Sequence, residues 1–404
     1  MPNTPVQVVL LPPRAMPPAR RSAFSWRSKQ ARGVIYQLLV LSLVAFLVWL
    51  LLSNTLANMK ARGIQSGFDF LTQTAGFDIG EQITGYDSNQ PYWRAFMAGV
   101  GNTLRVAIIG VVLTTILGTL LGIGRFSRNA LVRGICYAYV EFFRNIPVLL
   151  QLLMWYLIFT EYLPSIDEAL NVGAWLFLSK NGVSFPFPVW SLGYTLALAG
   201  LVAGAIAAFA YGRMARKAFD LTGRARPVLW VALVLLIGGA LIGWLAGGAP
   251  WEWQLPVKTE VQVEGGGALS PEYMALLLGL VLYTSAFVAE VVRGGIASVT
   301  AGQHEASASL GLPARLSMRL VILPQALRVI IPPMTNQFLN LTKNSSLAVA
   351  IGYPDVVSIA NTSLNQTGRA DECIAIIMLI YLTLSLITSA FMNWFNARAA
   401  IKER

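Results

Sequence analysis

The residues of this chain that could do chemistry are polar groups set among apolar ones, and they fall in a few places. Residues 300–324, TAGQHEASASLGLPARLSMRLVILP, hold the only histidine, His304, next to Glu305, with Arg315 and Arg319 four residues apart. Glu141 and Arg144 are three apart, as are Glu290 and Arg293. Each pair shares a helix face and can form an ion pair. Tyr283, Thr284 and Ser285 are consecutive hydrogen-bonding groups, and Arg328, Asn336 and Asn340 follow in one further stretch. A histidine with no second histidine or nearby cysteine does not suit a metal. No triad or paired-carboxylate site is visible, and no Gly-x-x-x-x-Gly-Lys-Ser/Thr phosphate loop occurs. No residue is therefore assigned to catalysis or to a metal. What the set can do is recognise: a guanidinium meets a carboxylate, and a carboxamide meets an α-amino or α-carboxyl group.

The elements that position these groups are apolar. Of 404 residues, 55% are hydrophobic and 12% charged, with mean hydropathy +0.60. That is about half the charged share of a soluble domain. The charges cluster and leave uncharged windows at 33–59, 185–212, 227–251 and 373–397, each able to hold the roughly 20 residues of a membrane-spanning helix. Weaker windows are 106–124, 134–160 (containing Glu141 and Arg144), 273–289 and 321–342 (containing Arg328). The expectation is an all-α polytopic membrane protein of about eight spans, helical because lipid offers no partner to open backbone.

Loop charges orient the spans. Arg14, Arg20, Arg21, Arg27, Lys29 and Arg32 precede the first; Arg125, Arg128 and Arg133, then Arg213, Arg216, Lys217, Arg224 and Arg226, lie in alternate loops. Arg293, Arg315 and Arg319 bound the polar segment, and Arg398, Lys402 and Arg404 close the chain. The opposite loops carry Asp69, Asp78, Glu81 and Asp87, then Glu161, Asp167 and Glu168, then Glu252, Glu260 and Glu264. This positive-inside alternation places both termini and residues 300–324 in the cytoplasm. The net charge of +11 is then mostly topology, and no nucleic-acid reader motif accompanies it. Residues 1–32, with four prolines at 12, 13, 17 and 18, read as a disordered tail, and the first span as retained rather than cleaved. Phe68, Phe70, Leu71 and Phe77 suggest a small interfacial helix in the external loop. Cys136 and Cys373 read as packing residues.

Within the polar segment, Thr300 and Gln303 form a plausible capping box for a helix over 301–310. Gly311 suits the left-handed residue that ends it, and Pro313 blocks continuation. Leu312, Leu316 and Leu320 then recur every fourth residue beside the two arginines, as in a second helical stretch. Either the segment merely reconnects two spans or it is a docking element for another protein.

Glu305-Ala306-Ser307, Gly311, and then Val321, Leu323 and Pro324 resemble the EAA loop of binding-protein-dependent ABC importer permeases, with Ser307 where the family has alanine and Val321 at the Ile-like position. Asn102-Thr103-Leu104, the run 139–147 with Gln151, the run 283–287 through Glu290, Arg293 and Gly294, and 343–347 look like the polar amino-acid (histidine/glutamine-type) branch of that family. The resemblance covers about 95–160 and 270–396, a five-span core. The additional span and insert are similar to the long permease subunits of general L-amino acid or glutamate/glutamine/aspartate/asparagine uptake systems. It implies a type I ABC importer transmembrane fold with this division: tail 1–32; extra span and periplasmic loop 33–94; first core part 95–160; periplasmic loops and two spans 161–270; second core part 271–397 with the coupling loop 300–324; and tail 398–404.

The resemblance also implies a role: a permease subunit of an ATP-driven L-amino acid importer in the bacterial inner membrane, not an enzyme. Glu305, Ala306, Ser307, Gly311, Leu323 and Pro324 would couple it to a separate ATPase dimer. ATP and Mg would sit on that partner and no cofactor on this chain. The other implied partners are a second, related permease subunit, a periplasmic amino-acid-binding protein and the lipid bilayer; no nucleic acid is expected. An ion-coupled secondary amino acid transporter is the alternative, though matched interrupted spans in two halves are not evident. Tyr283, Thr284, Ser285, Arg328, Asn336 and Asn340 are the candidate pathway groups, open equally to bonds between helices. Arg328, a turn beyond Leu323-Pro324, either meets a substrate carboxylate or lies too near the cytoplasm to do so. Glu141–Arg144 and Glu290–Arg293 read as structural ion pairs, or as gating contacts beside the coupling loop.

Overall fold

The computed structural model describes residues 29–399 except 62, 64, 65, 174, 225 and 260–262. The expected tails lie almost wholly outside these residues, but 29–32 belong to a helix. The chain divides into two units, 1–66 and 67–404. The first contains α1 (Lys29–Ala61), whose segment Arg32–Thr55 is long and apolar enough to cross a bilayer, with none of its residues buried.

The second unit begins with an ordered external segment. The expected interfacial helix is instead a short 3-10 turn, Asp69–Thr72. Phe70 is only 1% exposed, and it packs with Ala75, Ile79, Tyr86, Tyr92 and Phe96. Its ring meets that of Tyr92 edge-on at 5.5 Å, an arrangement that favours a packed cluster over insertion in lipid. Arg369 Nη1 donates to the Gly67 carbonyl at 2.9 Å and pairs with Asp69 at 3.2 Å. Arg105 pairs with Glu81 at 2.5 Å, and Asn102 Nδ2 donates to the carbonyls of Glu81 and Pro354. The segment is thus fastened to the helical core along its length.

The helices of that core follow. α2 (Tyr92–Gly124) runs the full width, and then come α3 (Ala130–Asn145) and α4 (Val148–Leu157), the latter extended by a π-helical turn to Tyr162. The window 134–160 is not one straight span: α3 and α4 bend by 103° at Ile146–Pro147. Proline forces the preceding residue out of the helical region, and Ile146 is extended (φ −103°, ψ 129°). The insert contributes α5 (Leu192–Thr222) and α6 (Val228–Ala246). α5 continues past 212, so Arg213, Arg216 and Lys217 lie on its last turns and not in a loop. Around these helices the external connections hold short strands, including a four-stranded antiparallel sheet of Leu170–Val172, Leu176–Ser179, Gly182–Phe185 and Gly267–Leu269.

α7 (Pro271–Ala297) is the central helix, with 61% of its spanning window buried. It meets α2 at glycine: a Cβ on Gly118 would lie 2.5 Å from Val288 Cγ1, and one on Gly122 would lie 2.8 Å from the Ala289 carbonyl. Small residues permit this approach, which dispersion rather than water exclusion rewards inside lipid. The chain continues as α8 (Ala301–Ser309), α9 (Ala314–Ser317), a π-helical turn Met318–Ile322, α10 (Leu323–Asn344), a 3-10 turn Ser345–Ile351, α11 (Val356–Thr367) and α12 (Ala370–Ala399).

Among the described residues six helices are long and apolar enough to span: α1, α2, α5, α6, α7 and α12, or seven if α3 and α4 count as one. The expected count was about eight. The eighth window, 321–342, is helical, but α10 carries Arg328, Pro332, Pro333, Asn336, Asn340 and Lys343 and is too polar to qualify. The fold is an all-α, multi-span membrane architecture.

Candidate functional site

The segment after α7 folds into an elbow. Thr300 occupies the N-cap position of α8 with extended backbone, yet its side chain makes no capping bond. Gln303 does not reach back either; its Oε1 accepts from Gln325 Nε2 at 3.1 Å. The expected capping box is therefore not formed, because the glutamine is drawn to the start of α10. Gly311 has φ +69°, the left-handed conformation glycine adopts without cost. Its amide donates to the Ala308 carbonyl at 2.9 Å, and Pro313 then opens α9. Ser307 and Ser317 are buried and joined Oγ to Oγ at 2.6 Å, tying α8 to α9. Ser307 is the one buried residue of α8; Glu305, Ala306, Leu310 and Gly311 are exposed, and Leu323 and Pro324 follow at the start of α10. A nine-residue helix with so little packing is marginal by itself, which suits a surface completed by something else.

Beside the elbow, Glu290 of α7 collects arginines. Arg125, just after α2, donates to it at 2.5 Å, and Arg293 also pairs with it. Arg144 Nη1 lies 3.9 Å away, with its guanidinium over the Phe287 ring at 5.4 Å. The expected Glu141–Arg144 pair is thus corrected: Arg144 turns toward α7, and no ion pair joins it to Glu141. Arg125 was visible in the sequence only as a loop charge. Its partner is 165 residues away, beyond the reach of helix spacing.

The candidate pathway groups separate. Ser285 is fully buried and bonded to Tyr139 Oη at 2.8 Å, and Thr284 is 2% exposed; neither faces open space. Tyr283 is half-buried, with its ring 4.9 Å from that of Phe287. Arg328 lines a cavity of about 240 Å³ with Ser298, Val299, Thr300, Gln325 and Val329, at the turn from α7 into α8. It belongs to the elbow end and not to the middle of the bundle. Asn336 and Asn340 are exposed together on one face of α10 with Pro332 and Lys343.

At the opposite end, Asp355 caps α11. Its carboxylate accepts from the Ser358 amide at 2.9 Å and from Tyr381 Oη at 3.3 Å. Burial pushes this carboxyl up to about 7 despite the amide bond. Nothing in the sequence distinguished Asp355, because its burial is created by distant helices. Among the described residues no group of three or more metal-ligating side chains gathers.

Elbow, ionic hub and multi-span bundle together define a helical membrane transport component. Residues 110–401 match the family described as binding-protein-dependent transport system inner membrane component, and the chain belongs to it. It is 42% identical over 391 residues to the general L-amino acid transport system permease protein AapQ of Rhizobium johnstonii, covering 96% of this chain and 98% of the relative. It is 42% identical to the putative amino-acid ABC transporter permease protein YhdX of Escherichia coli, covering 95% and 98%. It is 40% identical to the glutamate/glutamine/aspartate/asparagine transport system permease protein BztB of Rhodobacter capsulatus, covering 92% and 95%. Family membership decides against the ion-coupled secondary transporter and against an enzyme.

Proposed function

We propose that this chain is a permease subunit of an ABC-type amino-acid importer, carrying L-amino acids through a pathway it forms with a second, related permease chain. The observation that carries the coupling half of this reading is the exposed α8, held to its own chain by one buried serine pair. Such an element fits a groove on a separate ATPase, with Glu305, Ala306, Ser307, Gly311, Leu323 and Pro324 as the coupling residues. The cargo half is supported by the full-length relatives, whose names specify amino acids.

In this reading both termini and the elbow face the cytoplasm, as the loop charges favour. A periplasmic binding protein delivers cargo to the opposite end, and the ATPase dimer binds ATP and Mg. Closure of that dimer pulls α8, and the motion reaches α10 through the continuous run from α9. Asn336 and Asn340, exposed on α10, offer hydrogen bonds that lipid would leave unmet. They are the better pathway candidates; Tyr283 is secondary, and Arg328 belongs to the coupling end. The test is purification of the complex followed by uptake into proteoliposomes, with a panel of L-amino acids as competitors. Uptake that needs ATP and the binding protein and is blocked by L-amino acids supports the reading; uptake driven by an ion gradient without ATP overturns it.

A further inference from the structure

The inserted hairpin shares little surface with the rest of the bundle. No residue of α6 is buried, and α5 buries only Gly193, Gly204 and Ala215. Yet at one end it approaches α12 and encloses a cavity of about 800 Å³, lined by Phe209, Gly212, Arg213, Arg216, Val228 and the last described turn of α12, including Arg398. This is the end that carries the elbow, since Met392 and Phe395 of α12 line a groove with Leu323 and Leu327.

The charge in this cleft is one-sided. Arg213, Arg216 and Arg398 form no ion pair with any described carboxylate; Asp220 lines a neighbouring cleft with Arg216 and Arg226 but pairs with neither. Arg213 lies over the Phe209 ring at 4.9 Å and Arg398 over the Trp394 ring at 4.0 Å. These ring contacts orient both guanidinium groups without neutralising them. The walls beyond the arginines are apolar: the outer side chains of α5 and α6, among them Leu201, Ile206, Leu233 and Ile237, are exposed. Positive heads from two separate elements above apolar flanks match one kind of molecule.

We propose that this cleft binds an anionic phospholipid, its phosphate held by Arg213, Arg216 and Arg398 and its acyl chains lying between the hairpin and α12. The guanidinium fork suits phosphate oxygens, and basic pockets between spans at a membrane surface take acidic headgroups. The lipid then acts as the mortar that the protein contacts do not supply, and it holds the hairpin against the core.

The test uses the complete complex purified in mild detergent. Bound lipid is counted by native mass spectrometry after exchange with phosphatidylglycerol or with phosphatidylcholine of the same acyl chains. The wild-type complex should retain phosphatidylglycerol and not phosphatidylcholine. Each single Arg→Gln change should weaken retention about five-fold, and R213Q/R216Q/R398Q about a hundred-fold, at roughly one factor of five per surface arginine. A control, R128Q/R133Q/R224Q, removes equal charge from exposed sites outside the cleft and should retain lipid normally. Three outcomes would overturn the proposal: equal retention by the cleft triple variant, as expected if a partner chain fills the cleft; equal retention of both lipids; or release of phosphatidylglycerol by millimolar inorganic phosphate, which would mark a site for free anions.

Discussion

Arg125, at the end of α2, and Glu290, on α7, meet at 2.5 Å although 165 residues separate them. The contact ties two spans together at the end where the elbow projects. Arg293 shares the same carboxylate and Arg144 approaches it, so one acid holds helices from both parts of the core. Glu290→Gln should leave three cations facing a neutral amide. We expect a lowered thermal midpoint and a coupling of roughly 1–3 kcal/mol between Arg125→Ala and Glu290→Gln in a double-mutant cycle. Strict additivity of the two changes would show that the contact is worth nothing.

The elbow gives a second expectation. Ser317→Ala removes the buried partner of Ser307 and should cost about 1 kcal/mol, loosening α8 without disturbing insertion. Gly311→Val places a β-branched residue at φ +69° and should cost about 1–2 kcal/mol of local strain. Both variants, and Glu305→Ala, should reach the membrane at normal levels while uptake and cargo-stimulated ATP hydrolysis fall together. Normal transport by Glu305→Ala and Gly311→Val would remove the coupling assignment.

Asp355 predicts a pH dependence of unusual sign. Its carboxyl is raised to about 7 in the fold, against roughly 3.9 in an unfolded chain. Between those values the folded state binds more protons, so stability is highest in acid, declines as pH rises from about 4 through about 7, and is level above that. The slope contributed by this one group cannot exceed about 1.4 kcal/mol per pH unit. Asp355→Asn keeps an acceptor for the Ser358 amide and should flatten the decline. Thermal midpoints across pH 4.5 to 8.5 check this, and identical profiles for the two proteins would refute it.

Asn336 and Asn340 should separate from Ser285 in transport assays. Alanine at either asparagine should change apparent cargo affinity with little change in stability. Ser285→Ala breaks the bond to Tyr139, so it should lower stability by about 1 kcal/mol and leave the ranking of competing cargoes unchanged. Cargo affinities unmoved by both asparagine variants would place the pathway elsewhere.

The legible parts of this molecule are those written in local pattern. The long apolar windows announced α1, α2, α5, α6, α7 and α12, and Gly311 with Pro313 announced the elbow. Contacts between distant segments were not legible: Thr300–Gln303 looked like a capping box until Gln325 proved the better partner for the glutamine, and Glu141–Arg144 looked paired until α7 offered Glu290. Phe70 and Phe77 read as lipid-seeking because no local signal says that Tyr92 will receive them. Polar α10 fell between categories, since a helix lined with asparagine and proline is apolar enough only when protein covers it.

The seam between α5 and α6 has a genealogical consequence. A Cβ on Gly200 would sit 2.1 Å from the Gly239 carbonyl oxygen, and one on Gly204 would sit 2.3 Å from that of Leu235. The two helices therefore fit each other and need almost no one else. Their flanks, meanwhile, start and finish close together, since Tyr156 near the end of α4 reaches Glu272 at the start of α7. Such a piece can be gained or lost as a cassette in a lineage without re-tuning its host. A chain spliced from 162 directly to 270 through a short linker would still carry every core helix that fastens the elbow.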